Sequence, residues 1–315
     1  MSYFLWPEAR LEPRSLWSGR NSSVAAIEVD LAALYPGAHP VLFPSARAGL
    51  AATIEVLGLG RPDLVWLPPY SSHCVFDAVS RIATPTPSFA GGEVAAILVF
   101  HQWGYVHVCS FSGEIIEDSA DSLCLPGGNL FPNGGRFALW SLPKVIGSAV
   151  GGVVFCRTEG DAERLQRIRH GRRSIGTMQF ALRALLHSSA VAQLYWQGAE
   201  PANGGMPRIA CSDIQRKLDG LDRVIQDRRA KLAMLADYMP GWLRLDASRL
   251  PSNVPVESSD EQEGAMRRLG VTSGFRRFNR RQSVAEQDLV RVLPIPIHQD
   301  VKQSVLESMI KVLAV

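Results

Sequence analysis

The sequence lacks the features that mark membrane proteins, secreted proteins and nucleic-acid-binding proteins. No run of about 18 uninterrupted apolar residues occurs, so no transmembrane helix is expected. Residues 1–10 hold Pro7 and Glu8 and contain no apolar run of signal-peptide length. Basic residues outnumber acidic residues by only 33 to 30, so no basic field points to nucleic acid. These absences predict a protein that works in water, with neither a membrane nor a nucleic-acid partner.

Cysteine is scarce and scattered. The five cysteines are odd in number, and no two of them have the spacing of zinc ligands. They are Cys74, Cys109, Cys124, Cys156 and Cys211. We therefore expect no disulfide framework and no metal site, and a reduced, cytoplasmic setting.

The length and composition are those of a globular protein with a sizeable core. The chain has 315 residues, of which 46% are hydrophobic and 20% are charged. It contains no internal repeat and no low-complexity tract. We predict a large domain over residues 1–235 and a small C-terminal α+β domain over residues 236–315.

Short apolar runs separated by helical patterns predict an α/β fold with a mainly parallel central sheet and helices on both faces. The strand candidates are residues 41–43, 64–67, 94–100, 114–117, 137–140 and 152–156. The expected helices are residues 48–57, 71–82, 212–239 and 301–313. The first forty residues are rich in proline and tryptophan and favour no regular structure.

Three residues that follow predicted strands can carry chemistry, because ligands of such sheets bind at the carboxyl ends of the strands. Asp118 follows the run EIIE, and a buried carboxylate there requires a cationic partner. Lys144 lies between two buried strands and is equally costly unless it is used. Ser45 precedes a helix start, where backbone N–H groups and the helix dipole favour a phosphate. This set fits pyridoxal 5'-phosphate (PLP), whose aldehyde forms a Schiff base with a lysine.

Five segments of the chain resemble one family, in order, from about residue 40 to the last helix. They are residues 45–50 (SARAGL), 99–104 (VFHQWG), 115–120 (IIEDSA), 140–144 (WSLPK) and 150–154 (VGGVV). They resemble the DegT/DnrJ family of fold type I PLP-dependent enzymes, the aminotransferases of nucleotide-linked keto sugars. The resemblance implies transfer of an amino group from a donor such as glutamate to a keto sugar, in polysaccharide or secondary-metabolite synthesis.

The resemblance also implies roles for individual residues. Asp118 takes the position of the carboxylate that pairs with the pyridinium nitrogen, and Lys144 that of the Schiff-base lysine. Ser141 matches the serine that binds the cofactor phosphate, and Ala46 and Arg47 fall at the phosphate-binding helix start.

The segment NGGM matches a family motif whose asparagine reaches the cofactor of the neighbouring subunit. That asparagine is Asn203 in this chain, and Met206 completes the motif. The resemblance therefore implies a homodimer with shared active sites.

The sequence departs from the family at several cofactor-facing positions. Asp121 stands where the family has Gln or His against the ring hydroxyl of the cofactor. Ser72 replaces the aromatic residue that stacks on the ring, which leaves His73 or Tyr70 to take its place. Gly205 replaces an arginine, and the interval from the phosphate serine to the lysine is shorter than usual.

These departures leave three hypotheses for function. The first is an aminotransferase, the second is a PLP-dependent lyase, dehydratase or racemase on the same fold, and the third is a non-catalytic paralogue that keeps the dimer as a binding module. A cluster formed by Arg276, Arg277, Arg280 and Arg281 predicts either a solvated surface or a site for a substrate phosphate.

Overall fold

A seven-stranded sheet forms the centre of the protein. The computed structural model describes residues 3–8, 22–89, 93–174 and 204–314. The strands are β1 (His39–Phe43), β2 (Leu64–Trp66), β3 (Thr84–Thr86), β4 (Val94–Phe100), β5 (Glu114–Asp118), β7 (Phe137–Ser141) and β8 (Gly152–Cys156). Their order in the sheet is β1-β8-β7-β5-β4-β2-β3. The β8 strand runs antiparallel to both of its neighbours, β1 and β7, and the other pairings are parallel, so the expectation of a mainly parallel sheet is confirmed.

Helices cover both faces of this sheet. They are α1 (Val24–Leu34), α2 (Ala46–Val56), α3 (His73–Ser80), α4 (Leu142–Ile146), α5 (Glu159–Gly171), α6 (Arg208–Asp219) and α7 (Leu221–Met234). Successive residues of a strand point to opposite faces. Accordingly Leu42 and Trp140 pack in one apolar cluster with α1, α6 and α7, and Val41 and Leu139 pack in a second cluster with α2, α3 and α5.

A second sheet forms near the C-terminus and has its own core. Its strands are β10 (Asn253–Val256), β11 (Arg276–Asn279) and β12 (Leu289–Pro296), in the antiparallel order β10-β12-β11. Helices α8 (Asp260–Arg268) and α9 (Gln303–Leu313) accompany it. Val254, Met266, Leu293 and Met309 form its apolar core. Two further short strands, β6 (Leu123–Cys124) and β9 (Arg249–Leu250), pair with each other.

Most predicted elements occur where the sequence indicated them. The short strands β3, β6 and β9 were not predicted, and two further differences concern helices. The single helix predicted for residues 212–239 is wrong, because the chain forms α6 and α7 with a break at Gly220. Helix α1 lies in the stretch that favoured no regular structure, and the Ser23 side chain caps it by accepting the Ala26 N–H at 3.1 Å. No helix among the described residues is long and apolar enough to cross a membrane.

Candidate active site

The carboxyl ends of the central strands bring the predicted site residues to one edge of the sheet. Parallel strands β5 and β7 are neighbours, with Asp118 opposite Leu139. Beyond the strands, the Ser119 N–H donates to the Leu139 carbonyl (3.1 Å) and the Ser141 N–H donates to the Ala120 carbonyl (3.2 Å). The turn after β5 is therefore fixed against the segment that leads into α4.

Asp118 and Lys144 lie near each other at this edge. The Asp118 side chain is buried, and burial raises its pKa while the nearby Lys144 ammonium opposes that rise. Within its own turn, the Asp118 carboxylate accepts a hydrogen bond from the Ala120 N–H at 3.0 Å. A buried carboxylate with so little local support is stabilised by a cationic N–H donor. The protonated nitrogen of a pyridine ring is such a donor, so Asp118 fits the cofactor that the sequence predicts.

Asp121 lies in the same buried turn and has a structural partner. Its Oδ1 accepts the Trp103 N–H at 3.0 Å. Trp103 has a left-handed backbone (φ 58°), which is costly for a residue with a Cβ atom. Burial raises the pKa of Asp121 to about 6, with Lys144 acting to lower it and Asp118 to raise it. Asp121 therefore holds the strained loop after β4 in place, beside the other two charged groups.

Lys144 projects from α4, a short helix whose C-terminal end is held by other elements. Gly147 ends α4 in a left-handed conformation (φ 74°). The buried Arg228 donates from Nη2 to the Val145 carbonyl at 2.7 Å and to Gln299 Oε1 at 3.1 Å. The residue after the lysine is thus tied to α7 and to the loop that follows β12.

Residues 3–8, the N-terminal segment, bring an indole against the lysine. The Lys144 Nζ lies 4.7 Å from the centroid of the Trp6 ring, within cation–π range. The segment is bonded to the C-terminal sheet and its loops. The Tyr3 N–H donates to the Gly270 carbonyl (2.7 Å), and Asn253 Nδ2 donates to the Leu5 carbonyl (2.7 Å). No local pattern predicts this contact, because Trp6 is far from Lys144 along the chain.

The predicted phosphate site lies where β1, β8 and β7 come together. Gly152 of β8 is opposite both Phe43 of β1 and Ser141 of β7. Ser45 caps α2, its Oγ accepting the Ala48 N–H at 3.1 Å. A Cβ atom on Gly152 would lie 2.1 Å from the Ala46 nitrogen, so only glycine allows this close approach. The result is a helix start flanked by two serines, which fits an anionic phosphate.

The other residues predicted to bind the cofactor differ in their exposure to solvent. Arg47 is half-buried in the first turn of α2, and burial lowers its pKa while Cys74 and Asp77 of α3 act to raise it. His73 is the exposed first residue of α3. The role of His73 in stacking on the ring stays a prediction. The alternative Tyr70 is held between other groups, its ring 6.2 Å from that of His107.

The structure describes only part of the NGGM motif, which is predicted to reach the neighbouring subunit. Asn203 lies outside the described residues, so its role stays a prediction. Gly205 is described, and a Cβ atom there would lie 2.4 Å from Ser174 Oγ. This packing gives a steric reason for glycine where the family has an arginine.

A buried hydrogen-bond network around Glu117, beneath the site, was not predicted. Glu117 accepts the His101 Nε2–H at 2.8 Å, because His101 Nδ1 already accepts the His107 N–H. Burial raises the pKa of Glu117, but hydrogen bonds from His101 and Asn133 outweigh it and lower the pKa overall. The available signal was a carboxylate at the end of the run EIIE, directly before Asp118. Glu117 and a neutral His101 support the strand that carries Asp118.

Arg249 supports the other side of the turn that holds Asp118 and Asp121. Its guanidinium is buried and donates to Ser119 Oγ (2.6 Å) and Ser122 Oγ (3.1 Å). The two carboxylates are therefore displayed by a turn that is bonded on both sides. No group of three or more potential metal ligands occurs among the residues that the structure describes.

Solved structures share this architecture. The aminotransferase TlmJ from Streptoalloteichus hindustanus is similar with a TM-score of 0.68 and 19% identity, covering 99% of this chain and 98% of its own. A DegT DnrJ EryC1 StrS aminotransferase from Brucella abortus has a TM-score of 0.62 at 16% identity, over 96% and 92% of the two chains. The sugar aminotransferase CalS13 from Micromonospora echinospora has a TM-score of 0.62 at 15% identity, over 98% of each. These likenesses establish the fold.

A comparison with protein-family models gives a match over nearly the whole chain. A search of curated proteins found no match. The family model PLP_IMCC1989, described as "Putative PLP-dependent aminotransferase", matches residues 27–314. The matched range contains every residue of the Asp118, Asp121 and Lys144 cluster. The chain therefore belongs to this family of PLP-dependent aminotransferases, and its fold is that of the DegT/DnrJ-type enzymes.

Proposed function

We propose that this aminotransferase transfers an amino group from an amino acid such as glutamate to a nucleotide-linked keto sugar. The observation that supports it is the buried Asp118 carboxylate at the carboxyl end of β5, near enough to Lys144 for the lysine charge to lower its pKa. The solved structures of similar fold include one that holds a TDP-sugar product. Synthesis of a polysaccharide or a secondary metabolite would use such a product.

Each residue of the site has a chemical task in this proposal. Bound PLP supplies an electron sink for the substrate carbon that carries the amino group. Asp118 keeps the ring nitrogen protonated, since an opposite charge favours the protonated form of a base. Lys144 holds the cofactor between turnovers and, when released, moves a proton to and from the substrate carbon. Ser45 and Ser141 hold the phosphate.

Further residues orient the cofactor and the lysine. Ala46 and Arg47 offer the first-turn N–H groups of α2 to the phosphate, and His73 lies against the ring. Asp121 fixes the loop after β4 through the Trp103 N–H. Trp6 limits the positions of the Lys144 ammonium and shields it from water. Because Asp121 has this structural task, its presence gives no separate reason to favour a lyase.

We also propose a homodimer in the cytoplasm, with Asn203 of each subunit reaching the other's cofactor. All five cysteines are free, which supports a reducing environment.

The direct test is the absorbance spectrum of the purified protein with PLP. We expect a band of the lysine-bound cofactor, which glutamate converts to the amino form of the cofactor. Lys144→Ala removes the band and lowers turnover by roughly 10²–10⁴-fold, because the proton-transferring group is lost. Lys302 is exposed, and Lys302→Ala is the matched control, which keeps both the absorbance band and the turnover.

Two outcomes would overturn the proposal. An unchanged band in Lys144→Ala would assign the bond to another amine. A wild-type band that amino donors never convert would identify a lyase or a non-catalytic binder in place of a transaminase.

The shared active site has its own test, which mixes two inactive variants. Lys144→Ala and Asn203→Ala are expected to be inactive alone, since each removes one residue from every site. Hybrid dimers contain one site with both residues intact, so random exchange restores about one quarter of the sites. Native mass spectrometry would count the hybrids beside the activity assay. Hybrids without restored activity would show that each site is built within one subunit.

A further inference from the structure

The N-terminal segment is anchored to the C-terminal part of the chain at both of its ends. Near its start, His298 Nε2 donates to the Phe4 carbonyl at 3.0 Å. Burial lowers the pKa of His298 to about 3, so its ring is neutral near neutral pH and this bond does not depend on the pH there. At its end, the Glu8 N–H donates to Asp300 Oδ2 at 2.7 Å. The residues between these anchors therefore have a fixed path.

The middle of the segment is held by packing as well as by hydrogen bonds. Leu5 is buried in the apolar cluster that contains Phe278, and Asn253 Nδ2 donates to its carbonyl at 2.7 Å. Trp6 is half-buried and packs at the margin of the same cluster. The Phe4 ring meets the indole edge-on, with the ring centroids 4.8 Å apart. The orientation of the indole is therefore set by its own segment and by the cluster.

The segment crosses the end of the helix that carries Lys144. Gly147 caps α4, and a Cβ atom there would lie 3.2 Å from Pro7 Cβ and 3.7 Å from the Glu8 carbonyl oxygen. Trp6 directly precedes Pro7, and its ring centroid lies 4.7 Å from Lys144 Nζ. Lys144 is itself half-buried, so the indole covers part of a side chain that solvent can reach. This contact lies outside the family match, which begins at residue 27.

The position of the Lys144 amine depends on its contacts. A lysine amine lies at the end of a flexible four-carbon chain and samples many positions unless neighbours restrict it. The Asp118 carboxylate attracts the ammonium, and the Trp6 indole attracts it through a cation–π contact. A displacement of about 1 Å at a reacting group can slow a reaction by roughly 10²-fold. The groups that fix the indole therefore bear on the reactivity of the amine.

We propose that Asn253 and His298 are positioning residues for Lys144, which act on its amine through the N-terminal segment and Trp6. The inference rests on the proposed function, since it takes Lys144 as the lysine that binds the cofactor. While the anchors hold the segment, the indole covers the amine and keeps it in place. When an anchor is lost, the amine becomes more accessible and less well placed.

The first test measures how fast an amine reagent labels each lysine of the cofactor-free, full-length protein. The reagent is trinitrobenzenesulfonate, and peptide mass spectrometry reads each site separately. Trp6→Ala is expected to raise the labelling rate of Lys144 by roughly three- to tenfold, because the reagent no longer competes with the indole for the amine. Trp6→Phe keeps an aromatic face and should stay near the wild-type rate. The exposed Lys302 is the internal control, and its rate should not change.

The anchors are tested in the same assay. Asn253→Ala is expected to raise the labelling of Lys144, since the segment loses a donor. Adding Trp6→Ala to Asn253→Ala should bring no further rise, because both changes act through one contact. His298→Ala should behave like Asn253→Ala. His298→Gln should restore the wild-type rate, because glutamine again offers an N–H to the segment.

A milder variant covers the case in which a buried anchor is needed for folding. Asn253 and His298 are both buried, so each variant is checked by thermal denaturation. Thr272 is exposed, and its Oγ1 donates to the Tyr3 carbonyl at 3.2 Å. Thr272→Val loosens the same segment from the surface and should raise the labelling of Lys144 to a smaller extent. If the buried variants unfold, Thr272→Val and Trp6→Ala decide the outcome.

In the cofactor-loaded protein, the anchors should affect the rate of reaction and not the binding of the donor. We expect the maximal rate at which glutamate converts the cofactor to fall roughly tenfold in Trp6→Ala and Asn253→Ala, with the half-saturating glutamate concentration within about twofold of wild type. Trp242 packs at the margin of the same cluster, and its indole N–H donates to Glu257 at 2.9 Å. Trp242→Ala is the matched control and should change neither the labelling of Lys144 nor this rate.

Several results would overturn the inference. They are an unchanged labelling of Lys144 in Trp6→Ala, an equal rise in Trp242→Ala, and additive rises in the double variant. The Lys144-dependent absorbance band is measured on the same proteins. A band that persists in Lys144→Ala would overturn the proposed function. A band that behaves as proposed, with labelling that does not respond to Trp6→Ala, would overturn this inference alone.

Discussion

Asp121 is a buried carboxylate beside a second carboxylate, and it is ionised only at a cost to the folded state. Its pKa is raised from 3.8 to about 6, chiefly by burial. The folded chain therefore binds this proton more tightly than the unfolded chain does. The stability that Asp121 contributes is complete below pH 4 and is lost as the pH rises through about 6.

Asp121→Asn is expected to remove the loss of stability at high pH, because asparagine carries no titrating carboxyl. The asparagine side-chain oxygen can still accept the Trp103 N–H. In the cofactor-free protein above pH 6, the free energy of unfolding should rise by roughly 2–3 kcal/mol over wild type. Below pH 4 the two proteins should agree. Urea titrations at several pH values measure this, with the exposed Asp237→Asn as the control. A constant difference at every pH would contradict the assignment.

The places of Asp118 and Lys144 in the fold could be predicted, because Asp118 ends β5 and Lys144 lies just beyond β7. Both were predicted from their places after two buried runs, and in the structure the Lys144 charge acts on the Asp118 carboxylate. Their roles toward the cofactor stay predictions. The contact of Trp6 with Lys144 could not be predicted, since it requires the start of the chain to return across the C-terminal sheet. The Asp121 bond to Trp103 was equally hidden, because no local pattern shows which backbone N–H a buried carboxylate will accept.

The packing of β8 against α2 requires glycine at position 152, because no side chain fits there. Gly152→Ala would place a methyl group 2.1 Å from the Ala46 nitrogen and 2.3 Å from the Ser45 carbonyl carbon. The start of α2 must then move, which disturbs the phosphate site while Lys144 is unchanged. We expect PLP affinity to fall about tenfold or more, equivalent to at least 1.4 kcal/mol.

A spectroscopic PLP titration measures this loss. Gly160→Ala is the matched control, because a Cβ atom there meets nothing within 4 Å. Unchanged affinity in Gly152→Ala would show that the helix start does not hold the phosphate.

At the scale of elements, apolar runs predicted the central strands well, and β4 has the predicted bounds. The apolar period and the composition did not predict the break between α6 and α7, because that break depends on the backbone conformation of a single residue. Gly220 separates α6 from α7 within a continuous amphipathic pattern. The short strands β6 and β9 pair across distant parts of the chain, so no local signal marks them.

Arg228 connects three parts of the molecule from a fully buried position. It joins α7 to the Val145 carbonyl beside Lys144 and to Gln299 after β12. Arg228→Ala leaves that carbonyl without its donor and opens a cavity. We expect the free energy of unfolding to fall by about 3–5 kcal/mol.

The neighbouring Arg229 is exposed and gives a close control. Arg229→Ala should stay within about 0.5 kcal/mol of wild type in the same denaturation experiment. Equal losses in the two variants would contradict the structural role of Arg228.

The alternation of strands and helices predicted the architecture of the whole molecule, because a parallel sheet with both faces covered requires that alternation. The domain boundary after residue 235 stays a prediction. The predicted large domain begins at residue 1, yet Tyr3 packs in the C-terminal core with Val254 and Leu293. Assembly into a dimer also stays a prediction, as a single chain shows nothing of a second subunit.

The N-terminal segment links the C-terminal sheet to the Lys144 side chain. Its backbone is bonded to the C-terminal sheet, while its indole rests on the lysine of the central sheet. Any rotation of the C-terminal sheet away from the central one would draw Trp6 off Lys144 and admit solvent to the amine. Opening for substrate exchange and uncovering of the reactive nitrogen would then be a single mechanical event.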